Sequence, residues 1–99
     1  MLEHYVVFKP RAGRAEDLTN ALDGTLPCLL ELTWGPNANP SGLAHGYTHG
    51  CLARLTTESS LKEEYWGHPA HQRLLTLLDE LCDDRFALDY VAATAAHGR

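Results

Sequence analysis

The sequence predicts an α+β fold, a four-stranded antiparallel sheet with two helices on one face, in the order β-α-β-β-α-β. Three observations lead there. Apolar and polar residues alternate, at the period of a half-buried strand, near both ends of the chain and in its middle. Apolar residues at steps of three and four, the period of an amphipathic helix, occupy the intervals. At 99 residues, with 44% hydrophobic and 21% charged content, the chain has the size and composition of one globular domain.

The first strand is Leu2–Lys9, with Leu2, His4, Val6 and Phe8 on one face and Glu3, Tyr5, Val7 and Lys9 on the other. After a turn at Pro10–Gly13, Ala15, Leu18, Leu22, Leu26 and Leu29 form one helical face, whose extent Pro27 limits. Leu30–Trp34 reads as a second strand, and Gly35–Gly46, with its Gly, Pro and Asn, as a surface loop and candidate lid. Tyr47–Leu55 alternates again and groups Tyr47, His49, Cys51, Ala53 and Leu55 on the more apolar side. Ser60 and Glu63 have capping-box spacing for a short helix through Leu61 and Tyr65, ended by Gly67. His68 is the expected cap of the next helix, with Pro69 in its first turn and an apolar face of Leu74, Leu75, Leu78, Leu81 and Cys82. Phe86, Leu88 and Tyr90 alternate in a last strand. Residues 1–92 thus form a single ferredoxin-like domain and residues 93–99 a tail. One sheet face stays uncovered, with Tyr5 and Val7 on it, and a second copy of the chain is the simplest cover.

A formal net charge of −5 denies the chain the positive field that selects nucleic acid or anionic lipid. No stretch is long and apolar enough for a membrane helix, and the opening Met1-Leu2-Glu3-His4 lacks the features of an export signal, so the expected location is cytoplasmic. Cys28, Cys51 and Cys82 are dispersed without a C-x-x-C pair and read as buried thiols.

Three histidines, His4, His49 and His71, come from three elements, yet each falls on the apolar side of its own. Singly, each suits a hydrogen-bonded core histidine; their convergence suggests a site. His71 lies in the first turn of its helix, where the dipole disfavours a second positive charge and favours the neutral imidazole that a general base needs. Tyr65, just before the Gly67 break, can either face the same cavity as a hydrogen-bond donor or pack under the helix. A three-histidine zinc site would need the same convergence, but no H-E-x-x-H or comparable ligand spacing occurs, and no metal or cofactor is expected. No nucleophile signature such as G-x-S-x-G is present. The pairs Glu63-Glu64 and Asp83-Asp84 read as solvated surface.

Taken together, His4-Tyr5-Val6-Val7-Phe8-Lys9, Gly35-Pro36-Asn37, Gly46-Tyr47-Thr48-His49, His68-Pro69-Ala70-His71 and Leu88-Asp89-Tyr90 resemble the stress-responsive dimeric α/β-barrel (Dabb) proteins over nearly the whole chain. The resemblance implies a ferredoxin-like protomer whose sheet meets a partner's sheet in a homodimeric barrel. The polar residues are most similar to those of plant polyketide cyclases of the olivetolic acid cyclase type, which close a linear polyketide thioester by intramolecular aldol condensation. That similarity implies His71 as base, Tyr65 as donor, and His4, His49, Trp34 and Asp89 as substrate-binding residues. Trp66-Gly67 stands where those enzymes have aliphatic residues. The expected function is therefore a cofactor-independent, lyase-type polyketide cyclase acting on a small carbonyl ligand. The alternative is a non-catalytic stress-responsive or small-ligand-binding protein of the same fold.

Overall fold

Strand β1 (Leu2–Pro10) is paired antiparallel on both sides, with β3 (His49–Leu55) and with β4 (Cys82–Val91), and β2 (Glu31–Pro36) completes the sheet beside β3. The order β2-β3-β1-β4, with α1 (Ala15–Leu22) between β1 and β2 and α2 (Pro69–Leu81) between β3 and β4, is the ferredoxin-like split βαβ arrangement. The computed structural model describes residues 1–24 and 29–95. Cys28 and Leu26 lie outside the described residues, as does the end of the tail.

Alternation along β1 works as the sequence implies: Leu2, His4 and Phe8 are buried on the helix side, whereas Tyr5 is exposed on the other. The inward residues split into two clusters. Phe8 packs with Leu18 and Leu22 of α1, Leu74, Leu78 and Leu81 of α2, and Cys82. Leu2 packs with Ala53, Leu55, Leu61 and Tyr65. His4 and Val6 lie between these clusters along β1, so the interior has a gap where the functional side chains gather.

Several boundaries differ from the periodic reading. α1 ends at Leu22, so Leu29 is not on its face but packs from the following segment against the second cluster. Leu30 precedes β2 and is exposed. Tyr47 lies outside β3, and its hydroxyl donates to Asp84 at 2.9 Å, holding the 37–48 loop against the start of β4. The Ser60–Glu63 capping box does not form. Ser60 is already inside a π-helical segment (Ser60–Tyr65), and its backbone N–H donates to Thr57 Oγ1 at 3.1 Å. The widened turn shows in the bond from Trp66 N–H to the Leu61 carbonyl, five residues back. α2 begins as expected, with Pro69 in the first turn and the His68 ring accepting from Ala70 N–H at 3.1 Å. It runs directly into β4, so Asp83 and Asp84 are exposed strand residues at the sheet's end.

The molecule is only 17 Å thick against 46 × 37 Å in its other dimensions, room for the sheet and a single helical layer. Tyr5, Phe86, Leu88 and Tyr90 are left exposed on the far face. Leu18 is fully buried at the junction of both helices and β1. Leu18→Ala should lower unfolding free energy by about 2–5 kcal/mol in urea titrations, and a loss below about 1 kcal/mol would contradict this packing.

Candidate active site

The gap between the two clusters is a cavity of about 440 Å³, within the range of small-molecule sites. Its floor is sheet, with His4, Val6 and Phe8 from β1, Cys51 and Ala53 from β3, and Arg85 and Ala87 from β4. Its roof is Tyr65, Trp66 and the His71, Leu74, Leu75 and Leu78 side of α2.

Tyr65 and His71 meet here. Their rings lie 4.1 Å apart between centroids, tilted by 37°, and His4 approaches Tyr65 edge-on at 5.8 Å. All three are buried. The π-helical segment and the α2 start bring Tyr65 and His71 together from either side of the Trp66-Gly67 connection.

The hydrogen bonds of both histidines set their tautomers. His71 Nδ1 lies 3.1 Å from the Trp66 carbonyl oxygen, which can only accept, so Nδ1 carries the proton and Nε2 keeps its lone pair. His4 Nδ1 is bonded to the Asp89 carboxylate directly opposite it on β4, which likewise leaves Nε2 unprotonated in the neutral ring. Burial depresses the His71 pKa below its ordinary value; the Trp66 bond opposes this, and the charges of His4 and Arg85 add to the depression. Burial is also the main cause that raises the Tyr65 pKa, with Cys51 and Asp89 contributing, so its phenol stays protonated and able to donate. No described residue accepts from that hydroxyl. Cys51 is pushed up to about 11, chiefly by burial, so it is a thiol lining rather than a nucleophile. The pair can therefore remove a proton at His71 Nε2 and donate a hydrogen bond from Tyr65.

The other expected residues are placed differently. Asp89 is outside the cavity lining and acts on it through His4. His49 does not join the group: it is opposite Phe8, four residues along β3 from the partner of His4, and its Nδ1 contacts Thr48 Oγ1 at 2.8 Å. It lines a second concavity with Tyr47 and the loop, on neither side of which Tyr65 or His71 occurs. Position along the strand does not account for this, since Phe8 and Arg85 at the same level of the sheet line the cavity; the concavity that His49 lines instead includes Val7, Gly50 and Phe86. Trp34 is on the edge strand β2 and lines shallower depressions apart from the cavity. No residue of the Gly35–Gly46 loop lines the cavity either; the loop lines the second concavity. Sequence reasoning missed Arg85, Cys51 and Trp66. Arg85 had a signal, since Phe86, Leu88 and Tyr90 pointing one way require Arg85, Ala87 and Asp89 to point the other. Among the described residues, no three His, Cys, Asp or Glu groups converge on a point suited to a metal.

Residues 2–92 match the stress-responsive A/B barrel domain. The chain belongs to that family. Among solved structures, a protein of Arabidopsis thaliana is 20% identical with a TM-score of 0.86, covering 97% of this chain and 99% of its own. A dimeric ferredoxin-like protein of unknown function from Jannaschia sp. CCS1 is 29% identical with a TM-score of 0.77, over 92% of this chain and 98% of its own. A hydroxynitrile lyase from Passiflora edulis shares the fold at 15% identity and a TM-score of 0.80, over 96% and 95% of the two chains. No functionally curated protein matches this member of the family. Nor does any helix among the described residues have the length and apolarity to cross a membrane.

The depressed His71 pKa has a consequence for stability. In the unfolded chain His71 binds a proton near its ordinary pKa of about 6.5, whereas the folded state binds it only at lower pH. Its contribution is thus complete above about pH 6.5 and declines as pH falls through the folded-state value. NMR titration should show an imidazole titrating below the ordinary range, and His71→Ala should flatten the fall of thermal stability on acidification. A His71 imidazole, assigned by its loss in His71→Ala, that titrates above about 6.5 would contradict the site as described.

Proposed function

We propose that the protein is a cofactor-independent cyclase that closes a poly-β-keto thioester, or a related β-dicarbonyl compound, by intramolecular aldol condensation. The observation that carries this reading is the juxtaposition of a neutral histidine and a protonated tyrosine, with ring centroids 4.1 Å apart, inside a largely apolar cavity. His71 Nε2 takes the acidic proton from the carbon between two carbonyls, and the Tyr65 hydroxyl donates to the enolate oxygen. The enolate carbon then attacks a second carbonyl carbon of the same chain, forming the new C–C bond. The proton held on His71 passes to the resulting alkoxide, which completes the addition. Loss of that hydroxyl with the remaining proton of the former enolate carbon, as water, completes the condensation, so atoms balance without a redox partner. His4, held by Asp89, accepts at Nε2 from an enol hydroxyl of the chain, and the aliphatic lining favours folded substrate over extended, hydrated forms.

Site-directed variants test this directly with a β-polycarbonyl thioester as substrate. His71→Ala should lower kcat by about 10²- to 10⁴-fold. Tyr65→Phe, which removes only the hydroxyl, should cost about 10²- to 10³-fold. Both should keep the circular-dichroism spectrum of the parent. Unchanged rates in both variants would overturn the roles given to His71 and Tyr65, and no turnover by the parent would leave a ligand-binding protein without catalysis.

The working form is proposed to be a homodimer joined through the uncovered sheet face, where Tyr5, Phe86, Leu88 and Tyr90 are exposed. The similar proteins from Jannaschia and Thermobifida fusca are dimeric, which supports a dimer here. Light scattering should give twice the 10.9 kDa chain mass. Tyr5→Glu with Leu88→Glu should shift the protein to monomer, whereas a monomeric parent at micromolar concentration would overturn the assembly.

A further inference from the structure

Among the described residues, Arg85 is the one Lys, Arg, Asp or Glu in the lining of the Tyr65–His71 cavity, in a chain whose net charge is −5. Its place is set by register. Arg85 is opposite Phe8, Ala87 opposite Val6 and Asp89 opposite His4, so Arg85 is on the helix side at the end of the cavity away from His4. Four residues of strand separate Arg85 from Asp89, roughly 14 Å along β4.

A single cation on an otherwise apolar wall costs desolvation unless something compensates it. Part of the compensation is visible: Nη1 donates to Asp79 Oδ1 at 2.6 Å, on the exposed side of α2. That bond engages one of the three guanidinium nitrogens. No described residue accepts from Nε or Nη2, and the side chain is 30% exposed, partly shielded from bulk water. A planar fork with free donors at Nε and Nη2, beyond the one nitrogen that Asp79 engages, suits a carboxylate. Asp79 also holds the guanidinium in position, which lowers the ordering cost of such binding.

We propose that the substrate is an anion whose carboxylate docks on Arg85 while its carbonyl chain extends to His71 and Tyr65. This inference rests on the reading that the substrate occupies this cavity, and it narrows the substrate class to β-polycarbonyl compounds with a free carboxylate at the end remote from the reacting carbons. The dicarbonyl carbon that loses its proton then lies at His71 because the far end is held, which selects one of several acidic positions along the chain for deprotonation.

Binding can be read apart from turnover by calorimetric titration with octanoate and with octanamide, its neutral near-isostere. The parent protein should prefer octanoate by about tenfold or more. Arg85→Met should abolish the preference, Arg85→Lys should retain part of it, and Asp79→Asn, which removes the competing acceptor, should retain or enlarge it. Because Arg85→Met and Asp79→Asn break the same ion pair, loss of the preference in both would mean that the pair and not the free cation matters, and would overturn the proposal. Equal affinities in the parent, no binding of either compound, or a preference that survives Arg85→Met would overturn it as well. Tyr65→Phe should leave the octanoate preference unchanged while it impairs cyclisation, so failure of the anion site and failure of the cyclase reading give different results. If Tyr65→Phe removes the preference instead, the carboxylate docks at the wrong end and the proposal falls.

Discussion

The two-sided pairing of β1 is the constraint on which the rest of the structure depends. Because both neighbours are antiparallel and in register with it, each residue of β1 fixes which residues of β3 and β4 share its face: His4 with Ala53 and Asp89, Val6 with Cys51 and Ala87, Phe8 with His49 and Arg85. A one-residue slip would turn His4 and Phe8 outward and bring Tyr5 and Val7 under the helices. The packing of Leu2 and Phe8 in separate clusters opposes any such slip, and it also leaves the space between them for the cavity.

The polar groups of that space are few, and its two histidines are held. Two imidazoles have their Nδ1 atoms committed, one to a backbone carbonyl and one to a carboxylate, which orients both rings and leaves the opposite nitrogens for a ligand. Burial holds His71 neutral and Tyr65 protonated, so the two groups differ in role although neither carries charge. The Trp66 carbonyl that orients His71 also accepts from the Gln72 side chain. The π-helical turn before it therefore bears on the base as well as on Tyr65.

The sheet's far face follows a different rule. Glu31, Arg54 and Glu3 form a cross-strand row, with Arg54 donating to Glu3 at 3.0 Å and to Glu31 at 2.8 Å, and Tyr90 continues the row on β4. Beside it lies the apolar group of Tyr5, Leu52, Leu88, Val7 and Phe86. Tyr5 and Tyr90 stack at 5.9 Å across the junction of the two regions. On β4 the larger apolar side chains thus turn away from the protein's own helices, whereas Arg85, Ala87 and Asp89 turn toward them. Burial within one chain does not account for that pattern.

Period and punctuation in the sequence determined much of this protein. The alternation of Leu2–Lys9, the Leu74/Leu78/Leu81 stripe and the His68-Pro69 start are local features, and local sterics and hydrogen bonding suffice to produce them. Membership of His4 and His71 in the interior was legible for the same reason. Where along an element a side chain meets its neighbours was not, because parity carries no information on distance. His49 has the parity of Cys51 and Ala53 and pairs with Phe8, yet it lines the concavity that includes Val7, Gly50 and Phe86. Tertiary structure decided that the Tyr65 ring would lie tilted against His71, since this depends on a π-helical turn that the apparent Ser60–Glu63 capping box obscured. It also decided that Arg85 would enter the cavity: pairing of β4 with β1 commits the residue to the helix side, and a charge is tolerated there because Asp79 of α2 lies within reach.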